Sequence, residues 1–331
     1  MKYRKLGDGL EVSAIGVGCM PMNKGGNILY GAEADPDEAI KTIHRAIDLG
    51  VTFFDTAQIY GPFSNEELLG EAIKGKRDKL IIASKFGFRF DGGKIIGVDG
   101  SPANARTSVE GSLRRLGVEQ IDLFYQHRVD PAVPIEETVS GLSDLVKEGK
   151  IKHIGLSEAG VETLRRAAAI APIAALQSEY SLWERDVESE ILPACRELGI
   201  GFVPYSPLGR GFLTGSIKSL EDLPPNDWRR NDPRYQGANF AENLKVVEAI
   251  GQVAAKHDVS NAQVALAWLL AQGSDIVPIP GFKRRLTMED SMGAINVTLD
   301  SDDLTSLDLA APRGGTSGLR YGEAGMKMVR I

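Results

Sequence analysis

The order in which apolar and amphipathic segments follow one another limits this chain to a few folds. Eight short runs, nearly all apolar, alternate with longer segments that have helical periodicity. Strands that are apolar on both faces are typical of a parallel sheet buried on both sides. Three of the predicted helices end at a glycine, Gly50, Gly117 or Gly199, and a strand follows soon after. Eight such units in 331 residues predict an α/β fold, the (β/α)8 TIM barrel.

The predicted elements are short and regularly spaced. The predicted strands are residues 14–18, 53–56, 80–85, 121–126, 151–157, 175–179, 201–205 and 276–280. The predicted helices are residues 37–49, 66–73, 102–116, 135–148, 161–170, 187–198, 243–257, 262–270 and 285–293. A β-hairpin, residues 3–5 and 11–12 around Gly7-Asp8-Gly9, precedes them and is expected to cap the barrel. We predict a single domain that spans residues 1–331.

Two segments interrupt this regular pattern. Residues 208–240 follow the seventh strand and contain adjacent prolines and Trp228. A long stretch without predicted structure in a compact domain is usually a lid or a binding loop. Residues 312–331 hold five glycines and are predicted to form an irregular tail.

A doubly wound sheet is the main alternative fold, and it needs a glycine-rich phosphate-binding turn after its first strand. Residues 16–21, Gly-Val-Gly-Cys-Met-Pro, have a proline where the third glycine of that turn belongs. Residues 70–76 match most of a P-loop, but Arg77 replaces the Ser or Thr that would hold magnesium. That segment also ends a predicted helix instead of beginning one. Both motifs therefore argue against a nucleotide site of these two kinds.

Composition excludes several classes of function. The net charge is −7 and no stripe of Lys or Arg is present, so we expect no nucleic-acid partner. Two cysteines are too few for a disulfide scaffold, and no His or Cys spacing suggests a metal site. The first residues lack an apolar leader and no run is long enough to span a bilayer. We therefore predict a cytoplasmic protein without a membrane partner; no feature indicates an oligomeric state.

Four polar side chains lie at or just after the ends of consecutive predicted strands. Asp55 and Tyr60 follow the second strand, Lys85 ends the third, and His127 follows the fourth. Each alone has an ordinary explanation: a helix cap, a packed tyrosine, a surface charge or a core histidine. Because barrel chemistry lies at the carboxyl ends of the strands, four such residues together predict an active site.

The chemistry of these four side chains is mutually consistent. A tyrosine with a pKa of about 10 is a weak acid at neutral pH, and a nearby Lys85 ammonium is expected to lower that pKa. Asp55 would keep Lys85 charged and oriented, and His127 would hydrogen-bond a substrate oxygen. Such proton donation accelerates a reaction roughly 10²- to 10⁴-fold. Since none of these residues is redox-active, a hydride from an organic cofactor is the simplest source of electrons.

Motifs along the whole chain then resemble one family. Residues 53–61 and 66–70 resemble the first signature of the aldo-keto reductase superfamily, residues 114–123 the second and residues 279–283 the third. The sequences QHRVD (residues 126–130) and YSPLGRGFLTG (residues 205–215) are similar to its bacterial and plant branch. The resemblance implies an NADPH-dependent enzyme that reduces small aldehydes or ketones to alcohols, with Asp55, Tyr60, Lys85 and His127 as its catalytic tetrad.

The resemblance also implies a set of cofactor contacts. Ser157 and Gln177 match the residues that bind the nicotinamide amide, and Tyr205 matches the residue that stacks on its ring. Lys283 and Arg284 match the contacts to the 2′-phosphate and adenosine, and the loop of residues 208–240 would cover the cofactor. The remaining predicted contacts are Met20, Glu158, Ser206, Leu208, Gly209, Gly211, Gly281, Asp290 and Ser291.

Three cations, Lys283, Arg284 and Arg285, begin the predicted helix 285–293. Cations at a helix N-terminus oppose the helix dipole unless an anion is bound, which favours a phosphate there. The chain departs from the family at Phe282, where relatives usually carry Ser or Thr, and at Ser291, where they often carry Asn. Both changes remove adenosine-side contacts, which leaves the choice between NADPH and NADH open.

Other functions fit parts of the same pattern. A cofactor-sensing regulatory subunit would use the barrel without much turnover, and an alcohol dehydrogenase would run the same tetrad in reverse. An unrelated barrel enzyme such as an aldolase would use Lys85 as a Schiff base. An apolar, fairly open pocket is expected, with walls from Met20, Met22, Ile28, Tyr30, Phe86, Phe88 and Trp228.

Overall fold

A computed structural model describes residues 1–24, 35–91 and 94–331. The described strands are β1 Tyr3–Lys5, β2 Glu11–Ser13, β3 Val17–Gly18, β4 Phe53–Asp55, β5 Ile81–Phe86, β6 Phe88–Asp91, β7 Lys94–Val98, β8 Ile121–Gln126, β9 Ile151–Ser157, β10 Ile173–Glu179 and β11 Gly201–Tyr205. Seven of these form one parallel sheet in the order β11-β10-β9-β8-β5-β4-β3. The predicted barrel is confirmed.

Residues 275–281 close this sheet as the eighth segment of the barrel. Val277 and Ile279 donate their N–H groups to carbonyls of β11, at 2.9 and 3.1 Å. The carbonyls of Pro278 and Pro280 accept N–H groups from the segment that holds β3, both at 2.9 Å. Because proline has no N–H, the edge towards β3 lacks the reciprocal bonds. The predicted strand 276–280 is therefore a pair of isolated bridges instead of a regular ladder.

The helices lie between the strands, largely where their periodicity predicted them. They are α1 Pro36–Asp48, α2 Ser64–Ala72, α3 Pro102–Leu116, α4 Ile135–Lys147, α5 Val161–Ala168, α6 Ile191–Leu198, α7 Ala238–His257, α8 Asn261–Ala271, α9 Arg285–Met292, α10 Ser301–Ala310 and α11 Glu323–Met326. Asp35 and Ser101 cap α1 and α3, each of which begins with proline. Helix α10 was not predicted; it begins at a capping box between Asp300 and Asp303. Within the described ranges, no helix combines the length and apolar character that a bilayer crossing requires.

Successive side chains of the barrel strands point alternately inward and outward, so they contribute to two separate apolar cores. Phe54 packs outward against the helices, whereas its neighbour Phe53 packs inside the barrel. The predicted hairpin, β1 and β2, closes the N-terminal end, where Leu6, Leu10 and Val12 complete the interior core. The other end of the barrel is left for polar side chains.

A second hairpin, which the sequence did not reveal, follows β5 directly at that polar end. Strands β6 and β7 pair antiparallel and lie outside the main sheet. Phe90 of β6 packs against Phe63, with ring centroids 5.1 Å apart. The opposite strand exposes Ile95 and Ile96. The hairpin therefore forms one wall of the barrel mouth.

The long loop after the seventh strand is ordered by short 3₁₀ turns and buried contacts. Asp227 and Asp232, 1% and 0% exposed, each cap a turn by accepting a backbone N–H. Phe212 stacks on Trp183 at 4.3 Å between ring centroids. Helix α7 begins at Ala238, five residues before the predicted start, and ends the loop. The loop is thus a packed element at the barrel mouth.

Candidate active site

Three buried polar side chains meet inside the mouth of the barrel. Asp55 ends β4, Lys85 lies near the end of β5, and Gln177 lies in β10; the residues two positions earlier all pack in the barrel interior. Lys85 Nζ donates to one Asp55 carboxylate oxygen and, at 2.9 Å, to the carbonyl of Thr56. Gln177 Nε2 donates to the other Asp55 oxygen at 2.8 Å. Asp55 is 1% exposed and Lys85 0%, so each charge is balanced chiefly by the other.

Tyr60 reaches this ion pair from the turn between β4 and α2. Gly61, with φ +90°, supplies the left-handed residue of that turn, a conformation that favours glycine. Asn65 N–H donates to the carbonyl of Tyr60 at 3.2 Å and holds the turn on α2. Lys85 Nζ donates to the Tyr60 hydroxyl at 3.2 Å. Three of the four predicted catalytic residues are therefore in direct contact.

His127 stands beside Tyr60, just after the end of β8. Its backbone N–H donates to the carbonyl of Phe86 at 2.8 Å, and this bond fixes its position. The imidazole is edge-on to Tyr60 at 6.0 Å and to Phe88 at 5.1 Å between centroids. No hydrogen bond joins the imidazole to the described part of the chain, so its nitrogens can bind an oxygen placed between the two rings.

Burial sets the protonation of the three titratable groups. It lowers the pKa of His127 well below its ordinary value, and Lys85 and Arg128 lower it further, so the imidazole is neutral at pH 7. Burial lowers the pKa of Lys85, but Asp55 and Tyr60 together raise it above its ordinary value. Burial raises the pKa of Tyr60 by more than Lys85 lowers it. The lowered tyrosine pKa expected from the sequence is therefore wrong, and Tyr60 keeps its proton.

Arg128 is a charged residue of the mouth that the sequence analysis passed over, although it lies within the QHRVD motif. Its Nη1 donates to the carbonyl of His127 at 2.7 Å and to Ser157 Oγ at 3.2 Å. Burial lowers the pKa of Arg128, but Tyr205, Tyr321 and other nearby groups raise it above its ordinary value. A permanent positive charge therefore lies next to the predicted catalytic histidine.

The predicted nicotinamide-side residues cluster on the opposite wall. Ser157, Glu158 and Gln177 are all nearly inaccessible, and Tyr205 is half-buried at the end of β11. The Tyr205 hydroxyl donates to Glu158 Oε1 at 2.8 Å and shares a 2.8 Å hydrogen bond with the hydroxyl of Tyr321. The phenol end of Tyr205 is thus anchored, which leaves its ring face as the surface that a flat ligand can contact.

The tail and the long loop are tied to this wall by buried ion pairs. Arg320 donates two hydrogen bonds to Glu158, at 3.1 and 2.6 Å. Arg210 binds Glu179 at 2.9 Å and also pairs with Asp232. The Arg210 guanidinium lies between the rings of Trp228 and Tyr321, 4.8 Å from each centroid. The tail predicted to be irregular therefore carries two residues of the barrel mouth, Arg320 and Tyr321.

A cleft of about 880 Å³ lies at the N-terminus of α9. Lys283 and Arg284 line it, as expected for the predicted phosphate contacts. Burial and the charge of Arg229 lower the pKa of Lys283, whereas Asp227 acts to raise it, and the acidic residues Asp35, Glu38 and Glu289 also line the cleft. Arg285, however, already pairs with Glu38, whose carboxylate accepts its backbone N–H at 3.0 Å. The helix N-terminus therefore has a carboxylate from the chain itself, and only Lys283 and Arg284 still argue for a bound anion.

The other predicted cofactor contacts differ in solvent exposure. Asp290 accepts hydrogen bonds from Ser260 at 2.6 Å and Gln263 at 2.8 Å, and Ser291 is 2% exposed. The side chain of Phe282 packs into the outer core, so it does not face the cleft. These three side chains are thus engaged or buried within the fold.

The predicted contacts near the strand ends are more accessible. Four of them, Met20, Ser206, Leu208 and Gly211, are half-buried and Gly281 is exposed, whereas Gly209 is buried. Gly209 and Gly211 have φ of +57° and +93°, so this loop has the tight backbone that such positions require. The N–H groups of Gly209 and Gly211 donate to the carbonyls of Ser206 and Leu208, at 2.9 and 3.0 Å, and stabilise this turn.

The expected pocket walls are only partly in place. Phe88 lies over His127, and Trp228 lies against Arg210. Met22 and Phe86 are 0% and 1% exposed in the outer core, so their assignment to the pocket is wrong. Phe86 points outward because it is one strand position beyond the inward-facing Lys85. Ile28 and Tyr30 lie outside the described residues.

The residues of the barrel mouth that the sequence analysis missed share one property. Arg128, Arg320 and Tyr321 lie in loops, where no periodicity indicates which way a side chain points. The available signals were a cation directly after the catalytic histidine and an Arg-Tyr pair within a glycine-rich tail. Charged and aromatic residues in loops are frequently functional.

Glu66, part of the first signature, has a structural role instead. It accepts hydrogen bonds from Ser84 Oγ at 2.5 Å and Arg115 Nε at 2.6 Å, and it is fully buried. These bonds tie α2 to β5 and α3. A signature residue can therefore position the site without facing it.

Comparisons with known proteins agree with this geometry. The model of the Aldo/keto reductase family matches residues 14–311. A curated relative, probable aldo-keto reductase 1 of Glycine max, is 49% identical over 322 residues, which are 96% of this chain and 91% of the relative.

Solved structures show the same arrangement. Glycerol dehydrogenase AKR11B4 from Gluconobacter oxydans superposes with a TM-score of 0.85 at 30% identity, covering 93% of this chain and 94% of that one. The holo form of aldo-keto reductase AKR11C1 from Bacillus halodurans has a TM-score of 0.77 at 26% identity, covering 98% and 99%. The likeness therefore extends over nearly the whole chain.

Proposed function

The chain belongs to the aldo/keto reductase family, and from that premise we propose that it reduces aldehydes or ketones to alcohols with NADPH. The observation that carries the proposal is the contact of Lys85 with both Asp55 and Tyr60, beside a neutral His127. When bound, the nicotinamide supplies a hydride to the carbonyl carbon. The residues of the chain supply the proton and hold the substrate oxygen.

Tyr60 is the proposed general acid. Its raised pKa keeps the phenol protonated at neutral pH, and Lys85 stabilises the phenolate that remains after the proton has moved to the substrate oxygen. Asp55 and Gln177 hold Lys85 in place. A neutral His127 is placed to donate a hydrogen bond to the same oxygen without competing for the role of acid.

The residues present fit a phosphorylated dinucleotide. Lys283 and Arg284 line the cleft at α9, and a phosphate dianion bound there would favour the charged form of Lys283, whose pKa burial and nearby cations lower. The loop that holds Gly209 and Gly211 follows β11, whose last residue is Tyr205. Tyr205 offers a ring face near Ser157 and Gln177 for the nicotinamide end.

The same residues would also serve alcohol oxidation, and one relative is named as a glycerol dehydrogenase. In that direction the phenolate form of Tyr60, stabilised by Lys85, would accept the proton of the alcohol while the oxidised nicotinamide would take the hydride, so both directions share one site. A Schiff-base role for Lys85 is disfavoured, because a nucleophilic lysine needs a lowered pKa and that of Lys85 is raised. A purely cofactor-sensing subunit would not require the intact Asp55–Lys85–Tyr60 contact.

Replacement of Tyr60 by phenylalanine tests the proposal. The variant removes one hydroxyl and keeps the ring, so NADPH binding is expected to persist while kcat for a carbonyl panel falls at least about 100-fold. Binding would be followed by quenching of protein fluorescence, and turnover by loss of NADPH absorbance. His44→Asn, at a histidine outside the mouth, serves as a control with wild-type turnover. Turnover retained in Tyr60→Phe would exclude Tyr60 as the acid.

Two broader expectations belong to the same proposal. A single domain over residues 1–331 is supported by contacts of both termini: Lys2 Nζ donates to the carbonyl of Ile295 at 2.7 Å, and Gly160 N–H donates to that of Ile331 at 2.8 Å. A cytoplasmic location is supported by the cysteine content, because two cysteines, Cys19 and Cys195, are too few for a disulfide scaffold.

A further inference from the structure

Arg128 differs from the other buried cations of the barrel mouth. Its Nη1 binds two neutral acceptors, the His127 carbonyl at 2.7 Å and Ser157 Oγ at 3.2 Å. Within residues 1–24, 35–91 and 94–331 it forms no ion pair, and its Nε and Nη2 make no hydrogen bond. In the described part of the chain, this half-buried guanidinium therefore has unused donors and no carboxylate in direct contact.

The neighbouring arginines show how the chain usually treats such a charge. Arg320 binds Glu158 through two hydrogen bonds, and Arg210 and Arg234 both bind Glu179. Glu158, the carboxylate whose charge reaches Arg128, is held by Arg320 and Tyr205 and does not contact Arg128. Because Arg128 has no carboxylate in direct contact among the described residues and keeps donors unused, an anion of a ligand can pair with it at this position.

The position of Arg128 identifies which ligand carries that anion. It directly follows His127; its charge acts to lower the pKa of Tyr60, and Tyr205 in turn acts to raise the pKa of Arg128. The substrate carbonyl oxygen is expected between Tyr60 and His127, so a group near the carbonyl would lie against Arg128. Phe88, packed on His127 at 5.1 Å, lines the same space with an apolar ring.

We infer that Arg128 binds an anionic group of the substrate, so that the preferred substrates are carbonyl compounds with a carboxylate or similar anion close to the carbonyl. The inference rests on the proposed function and specifies its substrate class. In the reaction the carbonyl carbon gains hydride from the reduced nicotinamide and the oxygen gains the Tyr60 proton. The anion is unchanged and serves only to hold the substrate, through a charge-assisted and potentially bidentate bond.

Matched pairs of an acid and its methyl ester test the inference. The first pair is phenylglyoxylate and its methyl ester, and the second, with a longer reach, is 4-carboxybenzaldehyde and its methyl ester. The ratio of kcat/KM for acid over ester is measured in wild type and in Arg128→Met. Comparing this ratio between proteins cancels the intrinsic reactivity of each compound. We expect it to fall about 10- to 100-fold in Arg128→Met for at least one pair, as for loss of one charge-assisted hydrogen bond.

Two further variants separate binding from other effects. Arg128→Lys keeps the charge without the fork and should restore part of the ratio. Arg89→Met removes an exposed charge from the neighbouring hairpin and should leave the ratio within about twofold, since exposed charges act weakly. Damage to His127 or Ser157 in Arg128→Met would lower acid and ester turnover together and leave the ratio unchanged.

A binding measurement gives a readout without turnover. Benzoate titrated calorimetrically into the protein with NADP⁺ should bind wild type and Arg128→Lys, and should bind Arg128→Met about tenfold or more weakly. Ester reduction with an acid-to-ester ratio unchanged by Arg128→Met would overturn the substrate inference alone. Failure to reduce any of the four compounds would contradict the proposed function, and the substrate inference with it.

Discussion

Replacing Lys85 by methionine would separate the two halves of the buried ion pair at the barrel mouth. Lys85 is 0% exposed and makes three hydrogen bonds, to Asp55, Thr56 and Tyr60. Methionine has a similar length and leaves the Asp55 carboxylate buried with only the 2.8 Å bond from Gln177. Breaking one half of a buried pair typically costs about 3–5 kcal/mol. Because Gln177 still compensates Asp55 in part, we expect the free energy of unfolding to fall by about 3 kcal/mol at pH 8.

The loss should depend on pH in a defined direction. Burial already raises the pKa of Asp55, and without Lys85 that pKa rises further. A carboxyl whose folded-state pKa exceeds its unfolded value destabilises the fold at high pH and ceases to do so as it is protonated. Lys85→Met should therefore be closer to wild type at pH 5.5 than at pH 8. Urea unfolding at both values, followed by circular dichroism, measures this difference.

The double variant Asp55→Asn/Lys85→Met provides the decisive comparison. It removes both charges while Asn can still accept the bond from Gln177, so it should regain about 2 kcal/mol over Lys85→Met at pH 8. Both variants should lose carbonyl reduction at least about 100-fold, because the Tyr60 phenolate loses its cation. If the double variant were no more stable than Lys85→Met, or if Lys85→Met unfolded like wild type at pH 8, Asp55 would not be an uncompensated buried charge.

Three other measurements address separate parts of the structure. Reduction requires a protonated Tyr60, whose pKa is raised above 10, and a neutral His127, whose pKa is lowered. The value of kcat/KM should therefore be constant from pH 7 to 9. A change of kcat/KM with pH near neutrality would contradict this assignment. Lys283→Ala should raise KM for NADPH about 10- to 100-fold and KM for NADH less than about threefold. The control is Arg285→Ala, since Arg285 is paired with Glu38; it should change the KM for NADPH and the KM for NADH equally. Arg320→Met leaves the buried Glu158 without its cation and should lower the free energy of unfolding by about 3 kcal/mol. The control Arg330→Met, which breaks the exposed pair with Asp186, should lower it by less than about 1 kcal/mol. Similar losses in both variants would refute a special role for the Arg320 contact.

The sequence alone was sufficient for the barrel, because each barrel unit depends on local patterns. Apolar runs, helical periodicity and glycine stops each act over a few residues, and their eightfold succession has few solutions. The four catalytic candidates could be selected for the same reason. The carboxyl ends of parallel strands meet at one face, so chain position along a strand predicts proximity before any distance is known.

The eighth strand is an element whose form the local sequence pattern alone does not predict correctly. Its apolar run predicted a regular strand, yet Pro278 and Pro280 cannot donate to β3, and only tertiary pairing shows that the barrel still closes there. The hairpin β6–β7 and helix α10 were also missed. Their sequences have only weak periodicity, and these elements are stabilised by packing against the rest of the fold.

Only the tertiary structure decided the direction of the pKa shifts and the pairing of the charged side chains at the barrel mouth. The sequence indicated that Lys85 would acidify Tyr60, but burial, which depends on every surrounding element, reverses the sign. Arg320, far along the chain in a glycine-rich tail, binds Glu158, while Arg128 contacts no carboxylate of the described residues. Such pairings depend on desolvation and on which distant loops converge, and neither quantity is encoded within a short window of sequence.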